Sequence, residues 1–195
     1  LHIQWNPATD EVEVVNYSAG THKGLTAKVQ ILNMDASVAW EKEATVDSNE
    51  DTTNKCIKLA FPANLSKVHF IKMVLTENGK VISDNFYHRS LEENNYQDLR
   101  QLAKVALQST TTVDKNADGT WSAVSVIENK TSTPALMIRL NVVGSKDGQQ
   151  LLPVFYSDNY FSLLPGEKKE VRMSWKDEDT RGNEGKVLIT GYNVE

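Results

Sequence analysis

The stretch that decides the fold is residues 157–175, S-D-N-Y-F-S-L-L-P-G-E-K-K-E-V-R-M-S-W. Its centre, L-P-G-E, predicts a type II turn, because Pro165 presets φ at one central position and Gly166 accepts the positive φ of the next. After the turn, Val171, Met173 and Trp175 alternate with polar residues, which predicts a strand with one buried face. Aromatic residues flank the polar segment 157–159 before the turn. The stretch therefore predicts strand, polar kink, strand, turn and strand, one corner of a β-sandwich.

The same period of two runs through the rest of the chain. The clearest example is residues 25–31, where Leu25, Ala27, Val29 and Ile31 are separated by polar residues. An Asn-Gly pair at residues 78–79 predicts a tight hairpin. Val12, Val14 and Tyr17 are expected on the buried face of an early strand. About seven short strands without a helical stretch in the first 90 residues are typical of a sandwich.

The second half repeats this organisation, so the chain is predicted to be all-β, with two tandem immunoglobulin-like β-sandwiches. The first is assigned to residues 1–90 and the second to residues 104–195. Residues 91–103 are the exception, because Tyr96, Leu99 and Leu102 have helical spacing. We expect this segment to be a connector with a short helix.

Length and charge exclude several classes of function. The 195 residues are enough for two domains of ordinary size. The net charge of −5 is spread evenly, −2 up to Ser90 and −3 after it, so no basic cluster for nucleic-acid phosphates exists. No apolar run is long enough for a membrane span, and no signal peptide is evident. The chain begins at Leu1 without an initiator Met, and we expect it to be a piece of a longer or processed protein.

Few residues form a recognisable metal or redox pattern. Cys56 is the only cysteine, so no internal disulfide forms, and its strand-like surroundings favour a packed residue. Asp114, Asn116 and Asp118 match the start of a calcium loop, but the twelfth position is Ser125 where a bidentate Glu is needed. A solvated hairpin turn is the stronger interpretation. The four histidines have no metal-ligand spacing, and no cofactor is expected.

Other candidates have an ordinary structural explanation beside a functional one. The pairs Glu11/Glu13 and Glu41/Glu43 share strand faces, yet they alternate with apolar residues and are expected to be solvated rather than catalytic. Asp84-Asn85 and Asp158-Asn159 could bind a metal or a sugar hydroxyl, but such pairs more often bond to nearby backbone. The four tryptophans could stack on sugars or fill cores. Sequons for N-glycosylation start at Asn16, Asn64 and Asn129 and matter only in a eukaryotic secretory host.

Several special residues in order resemble the last immunoglobulin-like domains of glycoside hydrolase family 2, of the exo-β-D-glucosaminidase and β-mannosidase type. The most specific part runs from Leu152 to the turn, and its motif residues are Ser157, Asp158, Asn159, Tyr160, Pro165, Gly166 and Glu167. Residues 84–87, D-N-F-Y, resemble the end of the family's penultimate sandwich, although His88 replaces an aromatic residue. Residues 128–131, E-N-K-T, resemble an N-x-S/T motif of the last domain.

The resemblance implies a retaining exo-β-glycosidase whose two catalytic glutamates lie on a (β/α)8 barrel that precedes these sandwiches. No residue here matches those glutamates, so the chain itself is expected to be inactive and its parent a glycoside hydrolase. The implied partner is that barrel in the same polypeptide, with carbohydrate as a further candidate, and the implied location is periplasmic or extracellular. A carbohydrate-binding module and an adhesion or protein-interaction protein remain the alternatives.

Overall fold

Alternating apolar side chains build two β-sandwiches in the computed structural model of the chain, which describes residues 1–195. The chain divides into two units, Leu1–Arg100 and Gln101–Glu195. The predicted all-β fold with two immunoglobulin-like sandwiches is confirmed. The division at Arg100 falls within the segment 91–103 that we assigned to the connector.

Seven strands form the first unit: β1 (His2–Asn6), β2 (Glu11–Asn16), β3 (His22–Asn33), β4 (Val38–Ser48), β5 (Thr52–Lys58), β6 (Val68–Glu77) and β7 (Lys80–Ser90). They make a three-stranded sheet of order β1-β2-β5 and a four-stranded sheet of order β4-β3-β6-β7. All pairs are antiparallel. The inward side chains of β3, residues 25–31, are fully buried against Ile3, Val12 and Val14 of the facing sheet. This interdigitation is the main source of stability of a sandwich.

Seven more strands form the second unit: β8 (Gln108–Lys115), β9 (Thr120–Glu128), β10 (Ala135–Gly144), β11 (Phe155–Tyr156), β12 (Phe161–Leu163), β13 (Lys168–Lys176) and β14 (Gly185–Thr190). The sheets have the orders β11-β13-β9-β8 and β12-β10-β14. The predicted inward residues Val171, Met173 and Trp175 of β13 are buried, and they share a core with Ile138 and Leu140 of β10.

The connector helix is less extensive than its spacing predicted. It is one 3-10 helix, Gln97–Gln101, in which Leu99 is buried and its N–H donates to the carbonyl oxygen of Tyr96. A second 3-10 helix, Asp177–Thr180, follows β13 and has three acidic residues in its first turn. Neither helix is long and apolar enough to cross a membrane.

Two expectations for the first strands were wrong. Tyr17 is 81% exposed, because β2 ends at Asn16 and the chain turns away before the tyrosine can take its place on the buried face. The prediction also missed β1, although Ile3 and Trp5 alternate there with polar residues over five positions. The Asn-Gly hairpin is confirmed, since Asn78 and Gly79 have φ values of 50° and 77° between β6 and β7. Two positive φ values in succession are typical of a type I′ turn.

Candidate functional site

The motif segment 157–159 joins the two sheets of the second unit through side-chain hydrogen bonds. The Ser157 N–H donates to the carbonyl oxygen of Arg172 at 2.8 Å, and the Ser157 hydroxyl accepts from the Arg172 N–H at 2.9 Å. The serine thereby extends the pairing of β11 with β13 by one residue. Asp158 forms an ion pair with Lys169, which lies on the same strand β13.

Asn159 makes the corresponding contact with the other sheet. Its amide Nδ2 donates to the Leu140 carbonyl oxygen and its Oδ1 accepts from the Leu140 N–H, both at 2.9 Å. This pair of bonds imitates a strand ladder where the chain is kinked. Tyr160 follows with φ of 60°, an uncommon value for a large residue, and its side chain is 66% exposed.

The turn at the centre of the motif is the predicted type II turn. Gly166 has φ of 81°, and the Glu167 N–H donates to the Leu164 carbonyl oxygen at 3.0 Å. The Glu167 carboxylate also accepts a hydrogen bond from the Leu164 N–H at 2.9 Å, so a side-chain bond closes the turn in addition to the backbone bond. Backbone bonds between Asn129 and both Gly166 and Glu167 hold the turn against the end of β9.

Asn129 is fully buried at the centre of this arrangement. Its Nδ2 donates to the carbonyl oxygens of Thr133 and Leu163, and its Oδ1 accepts from the N–H and hydroxyl of Thr131. Asn16 is also fully buried, and its amide bonds to the Ser18 N–H and hydroxyl and to the carbonyl oxygens of Gly20 and Asn49. Both sequons therefore use the asparagine amide structurally in the folded chain.

The asparagine and acid candidates in the first unit are also engaged in structure. Asn85 donates from Nδ2 to the Ile3 carbonyl oxygen at 2.6 Å, and Ser83 accepts from the Ile3 N–H at 3.2 Å. Both contacts join β7 to β1. Asp84 pairs with Val74 in the ladder of β6 and β7. The segment 83–85 thus connects strands by side chain to backbone bonds, as segment 157–159 does.

The calcium candidates lie in the turn between β8 and β9. Asp118 Oδ1 accepts from the N–H and hydroxyl of Thr120, and Asn116 Nδ2 donates to the same hydroxyl at 2.9 Å. These bonds hold the pKa of Asp118 below its ordinary value, the hydroxyl contact having the largest effect. The turn is closed by bonds among its own residues, and Asp114 lies on the exposed strand β8. The residues lie in a hairpin turn, the interpretation that the sequence favoured, and calcium binding stays the weaker, untested alternative.

Three of the four paired carboxylates are engaged by neighbouring ammonium or amide groups. The Lys55 ammonium lowers the pKa of Glu11, and the Lys28 ammonium that of Glu41. Our expectation of a solvated face is wrong for Glu13, which is only 6% exposed. It is buried because Gln4 and Asn6 of β1 lie over it and donate their amides to its two oxygens at 3.1 and 3.0 Å.

The tryptophans pack in the cores. Trp121 and Trp175 stack at 6.4 Å between ring centroids with nearly parallel planes, and Trp121 Nε1 donates to Asp177 at 2.7 Å. Trp5 contacts Tyr87 edge to face, and Trp40 packs against the first core. Cys56 also packs there, and burial raises the pKa of its thiol to about 11. None of these groups is an exposed sugar platform or a reactive nucleophile.

A further functional candidate, which no local sequence pattern predicted, is an exposed patch on the sheet β12-β10-β14. Arg139 of β10 places its guanidinium 5.9 Å from the Tyr160 ring centroid. Met137, with φ of 51°, is exposed on the same strand, and Leu188 of β14 is 41% exposed beside Asn141. These residues are brought together by strand register, which periodicity alone does not specify.

A recess elsewhere on the second unit is too small to enclose a ligand. It has a volume of about 120 Å³ and is lined by residues 147, 149–152, 179–181 and 183. Pockets that hold small molecules usually measure about 300–1,000 Å³. Groups of three or more His, Cys, Asp or Glu suited to a metal ion are absent.

Comparison with known proteins identifies the family. A model of the exo-β-D-glucosaminidase Ig-fold domain matches residues 85–194, more than half of the chain. The chain belongs to this family. Exo-β-D-glucosaminidases of Streptomyces avermitilis and Hypocrea jecorina are each 30% identical over the whole chain, which spans 24% of their length. This Ig-fold region therefore corresponds to about a quarter of the relatives it matches.

Solved structures agree with this assignment. The crystal structure of the exo-chitosanase CsxA of Amycolatopsis orientalis aligns with a TM-score of 0.92 at 27% identity, covering 100% of this chain and 25% of that protein. A β-D-mannosidase of Dictyoglomus thermophilum aligns with a TM-score of 0.64 at 15% identity, which shows a shared fold.

Proposed function

We propose that this chain is a non-catalytic accessory region of an exo-β-D-glucosaminidase of glycoside hydrolase family 2, which packs on and supports the catalytic barrel of the same polypeptide. The observation that carries the proposal is the match of a family of Ig-fold domains to a chain that spans about a quarter of enzymes named exo-β-D-glucosaminidase. The function of such a region is to bury part of the surface of the larger protein and keep it folded.

The chemistry of the acids supports a non-catalytic role. Glycoside hydrolysis requires one carboxyl with a raised pKa to act as general acid, close to a second carboxylate. Every carboxyl here with a shifted pKa is shifted downward, because hydrogen bonds favour its ionised form. Acids of this kind are suited to structure and ill suited to proton donation.

The proposal includes a location outside the cytoplasm, in the periplasm or the extracellular medium, because the resembling enzymes act on polymeric sugars. The chain has a single cysteine and forms no internal disulfide, so its fold does not depend on the redox state of the compartment. Fractionation of the source cells, with an antibody against this region, tests the location independently of the enzymatic role. Detection in the cytoplasmic fraction alone would contradict it.

The experiment on function compares the 195-residue chain with the longer polypeptide that carries it. We expect the longer polypeptide to hydrolyse a chromogenic β-D-glucosaminide and the 195-residue chain to give no turnover. We also expect removal of residues 1–195 to lower the temperature at which the remaining protein aggregates. Turnover by the 195-residue chain that a substitution within it abolishes would refute the accessory role.

A further inference from the structure

One face of the second unit has unsatisfied polar groups beside exposed apolar side chains. Because Ile138, Leu140 and Val142 point into the core, the alternate residues of β10 point outward on the other face of its sheet. Those of β14 do the same, since Val187 and Ile189 pack against the core. We define the outer face as Met137, Arg139, Asn141, Tyr160, Lys186 and Leu188.

The polar groups of the outer face have no partner within the chain. The Arg139 guanidinium makes no hydrogen bond or ion pair within the chain; it lies against the Tyr160 ring and near the Tyr156 side chain. Asn141 Oδ1 is shielded from solvent and accepts no hydrogen bond. A group that solvent cannot reach is also out of reach of a docking partner, which leaves the Arg139 guanidinium as the one of these two polar groups that an outside partner can pair with.

The apolar side chains and the backbone of the outer face also indicate a binding surface. Tyr160 is 66% exposed, and Met137 and Leu188 are each 41% exposed. Tyrosine, methionine and arginine are the residue types enriched at protein interfaces. Both Tyr160 and Met137 adopt left-handed backbone conformations, which cost free energy in residues other than glycine. Strain of this kind in an exposed patch is typical of a surface shaped for binding.

The charge of the outer face selects the partner. Arg139 and Lys186 are its only charged side chains, and no carboxylate lies on it, although the chain as a whole carries a net charge of −5. A surface with Asp or Glu side chains and an apolar rim complements this arrangement. A protonated amino sugar carries the same sign of charge as Arg139 and is disfavoured there.

We propose that the outer face is the surface through which this region docks on the rest of its own polypeptide, which supplies a carboxylate to Arg139. The inference rests on the proposed function and adds the location of the contact. The relatives indicate what covers the outer face. About three quarters of their length lies outside the region that this chain matches, in the same polypeptide.

Hydroxyl-radical footprinting of the longer polypeptide, compared with the 195-residue chain, tests the location. We expect labelling of Met137 and Tyr160 to fall by roughly tenfold in the longer polypeptide, because docking removes their solvent exposure. Phe155 is the matched control. It is 69% exposed on the same unit, on the outer side of the other sheet, and its labelling should be unchanged.

A pair of charge reversals tests the chemistry in the longer polypeptide. Arg139→Glu should restore labelling of Met137, while Arg172→Glu, on the exposed strand β13 of the same unit, should not. Protection of Phe155 with free labelling of Met137 and Tyr160 overturns the inference and leaves the accessory role intact. Equal labelling at all three residues in both proteins contradicts docking altogether. Loss of labelling of Met137 on addition of chitosan oligosaccharide to the 195-residue chain would instead assign the face to carbohydrate.

Discussion

At the scale of single residues, this fold depends on asparagine side chains that replace missing backbone partners. Asn16, Asn129 and Asn193 are buried, and each bonds to backbone carbonyl oxygens with its amide Nδ2. Asn159 does the same at the kink before β12. Where a strand ends inside a sandwich, its neighbours' carbonyl groups would otherwise lose both water and a strand partner, and a short amide restores the bond.

Asn129→Ala should destabilise the chain by about 2–4 kcal/mol, because the carbonyl oxygens of Thr133 and Leu163 are then buried without donors. Urea unfolding measures the change. Lys130→Ala is the matched control, since the lysine is exposed one residue away, and it should cost less than about 0.5 kcal/mol. Equal unfolding midpoints for the two variants would show that the amide bonds contribute nothing net.

Cys56 provides a second residue-scale prediction. Burial raises the pKa of its thiol to about 11, and its Sγ donates to the Val12 carbonyl oxygen. Because only the thiolate reacts, alkylation at pH 8 should be roughly a hundredfold slower in the folded chain than in the chain unfolded by urea. The rate of mass increase with iodoacetamide measures this. Comparable rates in both states would mean that the thiol ionises readily in the fold.

At the scale of elements, one apolar face per strand accounts for the stability of each sheet. Leu140 and Leu188 lie on paired strands β10 and β14, yet Leu140 is 1% exposed in the core and Leu188 is 41% exposed on the outer face. Leu140→Ala should destabilise by about 2–5 kcal/mol through lost burial and a cavity, and Leu188→Ala by less than about 1 kcal/mol. Chemical denaturation of both variants checks the ranking. A reversed order would place the core on the opposite face of this sheet.

The strands could be predicted because burial of alternate residues is a local property of sequence. The type II turn at Gly166 and the hairpin at Gly79 followed from backbone preferences that are equally local. The partners of Asn129 could not be predicted, because Leu163 lies 34 residues away. The meeting of Arg139 with Tyr160 depends on the pairing of Ile138 with Phe161 after an irregularity in register. Such contacts are set by tertiary pairing, which a single sequence does not specify.

At the scale of the whole molecule, the binding of protons links the fold to pH. His69 is fully buried, and burial and the nearby Arg89 guanidinium lower its pKa. Burial also lowers the pKa of His88, whose Nε2 has no hydrogen-bond partner. The unfolded chain therefore binds more protons than the folded chain once pH falls below about 6.5. The carboxyls with lowered pKa values act in the same direction only nearer pH 4, so the interval from 7.5 to 5.5 isolates the histidines.

Stability should be highest above the unfolded histidine pKa and should fall on acidification through this interval, by at most about 1.4 kcal/mol per pH unit for each histidine. His88→Phe should flatten the dependence and raise stability at pH 5.5, because the ring packs between Phe70 and Phe86 and loses an unsatisfied nitrogen. Urea midpoints at both pH values measure this. An unchanged slope in the variant would show that His88 does not titrate on unfolding, and would leave His69 as the group that couples the first sandwich to pH.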